Sequence, residues 1–243
     1  MFKYETHLHT FPVSKCAKTN VFDSIDFYKN LGYDGIFITN HFLDGNINID
    51  SSVPYEEKIN FYFSDYEKGA EYGRSIGFKV FCGVELSYKG TDFLVYGLDK
   101  SWYLENPQIM RMKKSEELAF LMDSGALVIQ AHPYREARYI DHIRLFPRSV
   151  HGVEVTNSSC DEFVNTMAKH YAASYGLLEF AGSDNHCGRE REGSLAGMCS
   201  DIPIEDEKDF VRRVKNGEMN TFFDKVFHVT VNVFFCWVEY YLK

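Results

Sequence analysis

The fold is decided by FKYETHLHTFPVSKCAKTNVFDSIDFYKNLGYDGIFITNH, residues 2–41, which predicts a strand, a loop, a helix and a second strand. Residues 2–9 are rich in side chains that favour β-structure. Asn20 is placed to cap a helix that begins near Val21. Residues 34–40 (DGIFITN) then form a short apolar segment of the kind found in buried strands. The segment therefore predicts one β–α–β unit.

The same alternation continues along the rest of the chain. Short apolar segments enriched in β-branched or aromatic residues follow at residues 78–86, 93–98, 126–131, 152–156 and 178–182. Amphipathic helical stretches lie between most of them, at residues 56–75, 109–123 and 162–175. Alternating strands and helices predict an α/β fold with a mainly parallel sheet, open or closed into a barrel. No linker or repeat interrupts the pattern, so we expect residues 1–243 to form a single domain.

Composition and charge argue against some classes of function. The formal net charge is −9, and no run of Lys and Arg is long enough to form the footprint of a protein that binds the nucleic acid backbone. Long DNA or RNA is therefore not an expected partner. The hydrophobic share of 45% and the charged share of 25% are ordinary, so they predict a globular protein without naming its function.

Cysteine usage and the amino-terminal sequence predict a cytoplasmic protein. The six cysteines are scattered without a C-x-x-C pair, which favours reduced thiols over a zinc ribbon or a redox motif. The first ten residues, MFKYETHLHT, lack the apolar stretch of a signal peptide. Residues 226–238 form the most apolar stretch, but it is too short for a membrane span and contains three polar residues. We expect it to form one or two strands of the core.

Side chains that can bind metal ions cluster at the ends of the predicted strands. They are His7, His9, His41, Glu85, His132, Asp184 and His186. The carboxyl ends of parallel strands in an α/β barrel converge on one face, where active sites are built. An H-x-H pair on an extended strand also points both imidazoles to the same side. The pattern therefore predicts a metal centre on that face.

Each of these residues also has an ordinary structural interpretation. A single buried histidine is more often a hydrogen-bonded structural residue than a ligand, and a single carboxylate is more often a helix cap or a member of an ion pair. The coincidence at five strand ends favours the metal site, since buried charges must be paired or bound to a cation. Four histidines lie away from the strand ends and are left out of the site: His142, His151, His170 and His228.

Five ordered motifs carry a resemblance to a known family. They are HLHT at residues 7–10, ITNH at 38–41, GVE at 83–85, QAHP at 130–133 and GSDNH at 182–186. Together they resemble the PHP (polymerase and histidinol phosphatase) superfamily over residues 1–195, most of the chain. The resemblance implies a distorted seven-stranded (β/α) barrel that binds up to three divalent ions, typically zinc, manganese or iron. Members of this family are mostly phosphoesterases.

The resemblance also implies how the ligands are shared among the ions. The first metal would be held by His7, His9, Glu85 and Asp184. Glu85 would bridge to a second metal that also takes His132, and His41 and His186 would face a third.

The chain departs from the family pattern at two places. Asp92 stands where a further histidine of the second site is expected, and a carboxylate would favour a harder metal such as manganese or iron. The loop after His9 lacks the usual third-metal ligand and offers Lys15 and Cys16 instead. Cys16 is either a ligand or a plain loop thiol, and Lys15 is a candidate to reach a substrate phosphate.

The expected activity is hydrolysis of a small phosphomonoester by water activated at two or three metal ions. Histidinol phosphate-like compounds, nucleotides and sugar phosphates are all compatible substrates, and the oligomeric state stays open. Asp184 or His186 would protonate the leaving alkoxide or position the water. The candidates for binding the phosphate are Lys15, Arg135, Arg189 and Arg191. Each arginine also has an acidic neighbour with which it could form a surface ion pair instead.

Three other functions fit parts of the pattern. A phosphodiesterase or exonuclease would act on short oligonucleotides, although the acidic balance weakens this interpretation. A non-catalytic metal-binding barrel would explain the altered ligands at Asp92 and around Cys16. An amidohydrolase would use similar ligands, but no lysine falls at a strand end to form a carbamate bridge.

Overall fold

The structure is a computed structural model that describes residues 1–188 and 193–226. Its strands are β1 (Phe2–Leu8), β2 (Gly35–Ile38), β3 (Lys79–Tyr88), β4 (Thr91–Tyr96), β5 (Leu127–Gln130), β6 (Gly152–Asn157), β7 (Leu178–Gly182), β8 (Gly193–Ser200) and β9 (Asn220–Val226). Its helices are α1 (Val21–Asn30), α2 (Tyr55–Ile76), α3 (Lys100–Glu105), α4 (Lys114–Asp123), α5 (Glu162–Tyr175) and α6 (Glu207–Lys215). Strands and helices alternate as expected through β7, except that no helix lies between β3 and β4 or between β5 and β6.

The strands form one sheet in the order β7-β6-β5-β4-β3-β2-β1-β8-β9. The pairs β1–β2, β2–β3, β5–β6 and β6–β7 are parallel. The pairs β3–β4, β4–β5, β1–β8 and β8–β9 are antiparallel. The expectation of a mainly parallel sheet is therefore wrong around β4 and beyond β7, whereas the predicted α/β barrel is confirmed. The described sheet has nine strands, two more than the seven expected.

The barrel closes where the end of β1 meets the segment after β7. The backbone N–H of Asn185 donates to the carbonyl of His7 at 3.2 Å, and the N–H of His9 donates to the carbonyl of Asn185 at 3.0 Å. The hydroxyl of Thr6 donates to the carbonyl of Ala181 in the same seam. Strands β1 to β7 thus form the barrel, while β8 and β9 extend the sheet from the first half of β1.

Strand β4 runs against its neighbours because a tight turn joins it to β3. Lys89 and Gly90 form this turn with φ angles of 52° and 80°, and Tyr88 pairs with Thr91 across it. Two residues with positive φ are typical of the type I′ turn, whose twist suits a β-hairpin. The start of β4 consequently lies beside the carboxyl ends of the parallel strands, so this turn places Asp92 on the same face as the other candidate ligands.

Helix α6 packs against the opposite, amino end of the barrel. The ring of Phe210 lies 4.3 Å from that of Phe37 and 5.3 Å from that of Tyr96, measured between centroids. The ammonium group of Lys215 donates to the carbonyl of Ala126, just before β5, at 3.0 Å. These contacts bury the aromatic core at one end and leave the other end for the candidate site.

Two sequence predictions differ from the observed elements. The helix expected at residues 109–123 is instead a short 3₁₀ turn, Pro107–Arg111, followed by α4, because the backbone at Met112 and Lys113 is extended. Helix α3 was not expected, and it begins where Asp99 accepts a hydrogen bond from the N–H of Trp102. Residues 227–238, expected as core strands, lie outside the described residues. None of the described helices combines the length and hydropathy needed to cross a membrane.

Candidate metal centre

The predicted ligands converge on the carboxyl end of the barrel. His7 lies in β1, Glu85 in β3 and Asp92 at the start of β4. His9, His41, His132, Asp184 and His186 lie in the loops that follow β1, β2, β5 and β7. Of these eight side chains, only those of His41, Asp92 and His186 are more than a tenth exposed. The fold therefore gathers charged and imidazole groups from six strands in a largely buried place.

Glu85 lies at the middle of this cluster. One carboxylate oxygen, Oε1, is 3.0 Å from Nε2 of His7 and 3.8 Å from Nε2 of His132. The other oxygen, Oε2, is 2.6 Å from Nδ1 of His41 and 3.4 Å from Nε2 of His9. A carboxylate shared by four imidazoles has the geometry of a bridge between neighbouring cations.

Asp184 forms the second anionic point of the cluster. Its Oδ1 lies 3.3 Å from Nε2 of His9, 3.4 Å from Nδ1 of His186 and 3.5 Å from Nε2 of His7. The backbone is left-handed at Asp184, with φ 51°, and also at His132, with φ 24°. Such conformations are strained for residues other than glycine and concentrate at functional sites.

The nitrogen and oxygen atoms fall into three overlapping groups suited to metal ions. These are His7, Glu85 and His132; His7, His9 and Asp184; and His9, His41 and His186, with the ligand atoms of each group within 4.8 Å of one another. Three buried atoms of the cluster make no well-directed hydrogen bond: Nε2 of His9, and Nδ1 of His41 and Oε2 of Glu85, which face each other at 2.6 Å. Leaving such atoms unsatisfied is costly, and bound cations would satisfy them. The donor set therefore fits divalent metal ions.

The charged groups in the cluster also shift one another's pKa values. Burial alone would raise the pKa of Glu85 and Asp184, but the surrounding histidines hold both values well below the usual range. Burial lowers the pKa of His9, and the charges of the neighbouring His186 and His41 lower it further. These effects favour the neutral form of His9, the form in which an imidazole binds metal.

Asp92 lies beside the proposed second site. Its Oδ1 accepts a hydrogen bond from the hydroxyl of Ser87 at 2.7 Å, and its Oδ2 lies 3.8 Å from Nε2 of His132. Burial, followed by the charge of Glu85, raises the pKa of Asp92. The carboxylate thus lies close to His132, although Asp92 belongs to none of the three ligand groups.

A cavity of about 460 Å³ opens over the cluster. It is lined by Cys16, His41, Asn46, Glu85, Ser87, Gly90, Asp92, His132, Arg135, Tyr139, Asp184 and His186. Arg135 donates from Nη1 to Oδ2 of Asp184 at 2.8 Å, so its ion pair is with the site and not with the neighbouring Glu136. Lys15 is exposed on its loop and is not among the lining residues. Arg189 and Arg191 lie outside the described residues.

Sequence reasoning missed Glu154, which lies beneath the cluster on β6 and is fully buried. Its Oε1 is 3.0 Å from Nδ1 of His7, and its Oε2 accepts from the N–H of His132 at 3.1 Å and from Nδ2 of Asn157 at 2.8 Å. A carboxylate on Nδ1 fixes the imidazole tautomer so that Nε2 faces the metal. The only sequence signal was a charged residue in the middle of a predicted buried strand.

A polar network supports His9 in a similar way. The hydroxyl of Ser14 lies 3.1 Å from Nδ1 of His9 and donates to Oδ1 of Asn40 at 2.8 Å. The same oxygen of Asn40 accepts from the N–H of Thr10 at 2.7 Å. These contacts direct Nε2 of His9 toward Glu85 and Asp184.

The histidines left out of the site lie in ordinary environments. His142 and His170 are exposed, and Nδ1 of His151 accepts a hydrogen bond from the N–H of Val128 at 3.1 Å. His228 lies outside the described residues.

Comparisons with known proteins found similarity to this chain in fold but not in sequence family. No known family model and no curated protein matches the sequence. A two-domain protein from Bacteroides vulgatus, described as containing a predicted PHP-like metal-dependent phosphoesterase, is 14% identical and covers 92% of this chain with a TM-score of 0.67. This chain spans 65% of that protein's length.

Two further solved structures are similar at comparable identity. A candidate metal-dependent phosphoesterase from Bifidobacterium adolescentis is 13% identical, with a TM-score of 0.53 over 77% of this chain and 88% of its own. An amidohydrolase from Chromobacterium violaceum, with bound sulfate and no metal, is 13% identical, with a TM-score of 0.53 over 90% of this chain and 97% of its own. At these identities the likeness shows a shared barrel fold, and the function has to be argued from the site.

Proposed function

We propose that this chain is a metal-dependent phosphoesterase that hydrolyses a small phosphomonoester. The observation that carries the proposal is the set of three overlapping ligand groups with unsatisfied buried atoms at the floor of a cavity. The fold shared with a protein described as a PHP-like phosphoesterase supports it. Divalent ions held there would lower the pKa of water and neutralise charge on the phosphoryl oxygens.

Other steps of the proposed reaction, such as binding of the phosphate and departure of the leaving group, are assigned to side chains around the cavity. Arg135 reaches the cavity while one of its N–H groups is held by Asp184, so its other donors can bind a phosphate oxygen. His186, whose side chain is 23% exposed, faces the cavity, and its ring nitrogen that does not face a cation can form a hydrogen bond with the leaving alkoxide. Lys15, Arg189 and Arg191 are further candidates for the phosphate. Asp92 favours manganese or iron at the second site, while the imidazole-rich positions also suit zinc.

The first test of this function is replacement of Asp184. Asp184→Asn should lower turnover of a phosphomonoester such as p-nitrophenyl phosphate at least about 100-fold, because a neutral amide binds a divalent cation much more weakly than a carboxylate does. Asparagine also tolerates the left-handed backbone at this position, so the fold should persist. Circular dichroism checks the fold, and the exposed Asp201→Asn is the matched control. Near-full activity of Asp184→Asn would exclude Asp184 from the centre.

Metal content and substrate choice separate this proposal from its rivals. Two or more metal equivalents with turnover of the monoester would support it, whereas full loading with no turnover of any phosphate ester would favour a non-catalytic barrel. Faster hydrolysis of bis-p-nitrophenyl phosphate would favour a phosphodiesterase.

Amide hydrolysis is the second candidate, because one similar fold belongs to an amidohydrolase. No lysine lines the cavity in the described part of the chain, which argues against a carbamate bridge between the metals. Cleavage of N-acetylated substrates with no cleavage of phosphate esters would replace the main proposal with this one.

A further inference from the structure

We propose that Cys16 supplies a thiolate ligand to a cation bound with His41 and His186, which gives the centre one sulfur-containing site beside its carboxylate-rich sites. The proposal rests on the metal centre proposed above, and it adds a ligand that sets the metal preference of one position.

The loop around Cys16 is fixed by backbone contacts on both sides. The N–H of Lys15 donates to the carbonyl of Asn46 at 3.0 Å, and the N–H of Ala17 donates to the carbonyl of Ser14 at 3.1 Å. The N–H of Lys18 then donates to the carbonyl of His186 at 2.7 Å. This last bond ties the loop directly to the segment that carries a candidate ligand, so the thiol is held over the centre.

The thiol of Cys16 meets two imidazoles inside the cavity. Cys16, His41 and His186 all line it, and the two imidazoles offset the effect of burial, which alone would raise the pKa of the thiol. Both histidines also contact carboxylates of the centre, at 2.6 Å between His41 and Glu85 and at 3.4 Å between His186 and Asp184. Cys16 is therefore adjacent to the ligand groups and not on a separate surface.

A second observation at the same place points to a cation. His9 is fully buried, and its Nε2 has no hydrogen-bond partner. Its ring lies 4.1 Å from that of His186 and 4.3 Å from that of His41, and the ligand nitrogens of the three residues are within 4.8 Å of one another. Three neighbouring imidazoles with a buried nitrogen that makes no well-directed hydrogen bond are suited to a cation, and Cys16 lines the cavity that opens over this group.

The donor types predict different preferences for neighbouring sites. A site made of imidazole and thiolate suits zinc or cobalt in tetrahedral coordination, since soft sulfur ligands bind manganese poorly. The position beside Asp92 and Glu85 offers oxygen ligands, which suit harder ions. The thiol would lose its proton to solvent as the cation binds, so the Cys16–metal bond forms without any redox change.

Cobalt(II) loading tests the proposal without relying on activity. The full-length chain, stripped of metal by a chelator and titrated with cobalt, should develop the near-ultraviolet absorption of thiolate-to-cobalt charge transfer. Cys16→Ser should lose this band and one equivalent of tightly bound cobalt, with affinity at that position at least about 100-fold weaker. Because Cys16 is exposed, the variant should fold, and thermal unfolding of its metal-free form should match that of the wild type.

Cys187→Ser is the matched control, because Cys187 directly follows His186 but does not line the cavity. This variant should keep both the band and the cobalt stoichiometry. A wild-type chain that binds cobalt without the band, or a Cys16→Ser chain that keeps it, would overturn the thiolate ligand and leave the metal centre standing. A wild-type chain that binds no cobalt would overturn the thiolate ligand and the proposed centre together.

Discussion

At the scale of single residues, the most informative side chain is one that the sequence pattern did not select. Glu154 contacts the imidazole of His7 and the backbone of His132, so it positions two proposed ligands at once. Glu154→Gln keeps the shape but removes the charge that fixes the His7 tautomer. We expect metal affinity to fall about 10–100-fold, measured by competition with a chromogenic chelator.

The exposed Glu179, on the neighbouring strand β7, provides the control for that measurement. Glu179→Gln should leave metal affinity unchanged. Equal affinity of the Glu154→Gln variant and the wild type would show that Glu154 only fills space under the centre.

The limits of sequence reasoning at this scale follow from what each residue contacts. The ligands at strand ends could be predicted, because a parallel barrel gathers those ends whatever the details of packing. Glu154 could not, because its contacts depend on how β6 lies against β1 across the barrel interior. Asp92 was found only by resemblance, since its position depends on the reversed direction of β4.

His151 predicts a pH dependence that is separate from the metal centre. Burial, together with the charge of Lys215, lowers its pKa from 6.5 to about 4. Below pH 6.5 His151 becomes protonated in the unfolded chain, but in the folded chain it stays neutral until about pH 4. The free energy of unfolding therefore falls as the pH falls through that window. His151→Asn keeps an acceptor for Val128 and cannot take up the proton.

The expected result is a difference between the two unfolding curves that changes with pH. The free energy of unfolding of the wild type should fall by about 1 kcal/mol more than that of His151→Asn between pH 6.5 and pH 4, after allowing for the part exposure of the ring. Urea denaturation at several pH values measures this. Parallel curves over the whole window would mean that His151 titrates normally in the fold.

At the scale of secondary structure elements, the close contact of β1 with the end of β7 decides whether the site can form. A Cβ atom at Gly182 would lie 2.5 Å from Cβ of His7 and 2.7 Å from Oε1 of Glu154. Gly182→Ala should therefore push apart the elements that carry the centre, destabilising the fold by about 1–3 kcal/mol and weakening metal binding as well.

Gly73, on α2, offers a comparison at an equally tight contact away from the site. A Cβ atom there would lie 2.6 Å from the carbonyl oxygen of Phe78. Gly73→Ala should lower the free energy of unfolding without changing metal affinity in the remaining folded protein. If both variants lost metal affinity equally, the effect of Gly182→Ala would reflect general destabilisation and not the seam between β1 and β7.

Element prediction succeeded where local signals and the fold agree. Helix α1 begins at Val21, and Asn20 accepts from the N–H of Asp23 as its capping position predicts. It failed at residues 109–123, where apolar periodicity continues through Met112 although the backbone there is extended. Strand β4 was expected, but its antiparallel direction was not, because the Lys89–Gly90 turn is a weaker signal than an Asn–Gly pair.

At the scale of the whole molecule, the proposed metal ions would join parts of the chain that are distant in sequence. The ligand groups combine residues from β1 and β3 and from the loops after β2, β5 and β7, including both sides of the seam that closes the barrel. Two carboxylates and five imidazoles packed together without cations leave buried atoms unsatisfied. Metal binding should therefore be coupled to the stability of the entire barrel.

Chelation tests this coupling. A ligand at 100 times its dissociation constant stabilises the folded state by about 2.7 kcal/mol, which for a chain of this size corresponds to a rise in Tm of roughly 5–11 °C. Removing metal with a chelator should lower Tm by about that amount, and adding back zinc or manganese should restore it. The Asp184→Asn variant should respond much less to either treatment, because it lacks a carboxylate shared by four histidines. An identical Tm with and without metal in the wild-type chain would mean that no cation bridges the strands, and the centre proposed here would then be a cluster of hydrogen-bonded histidines.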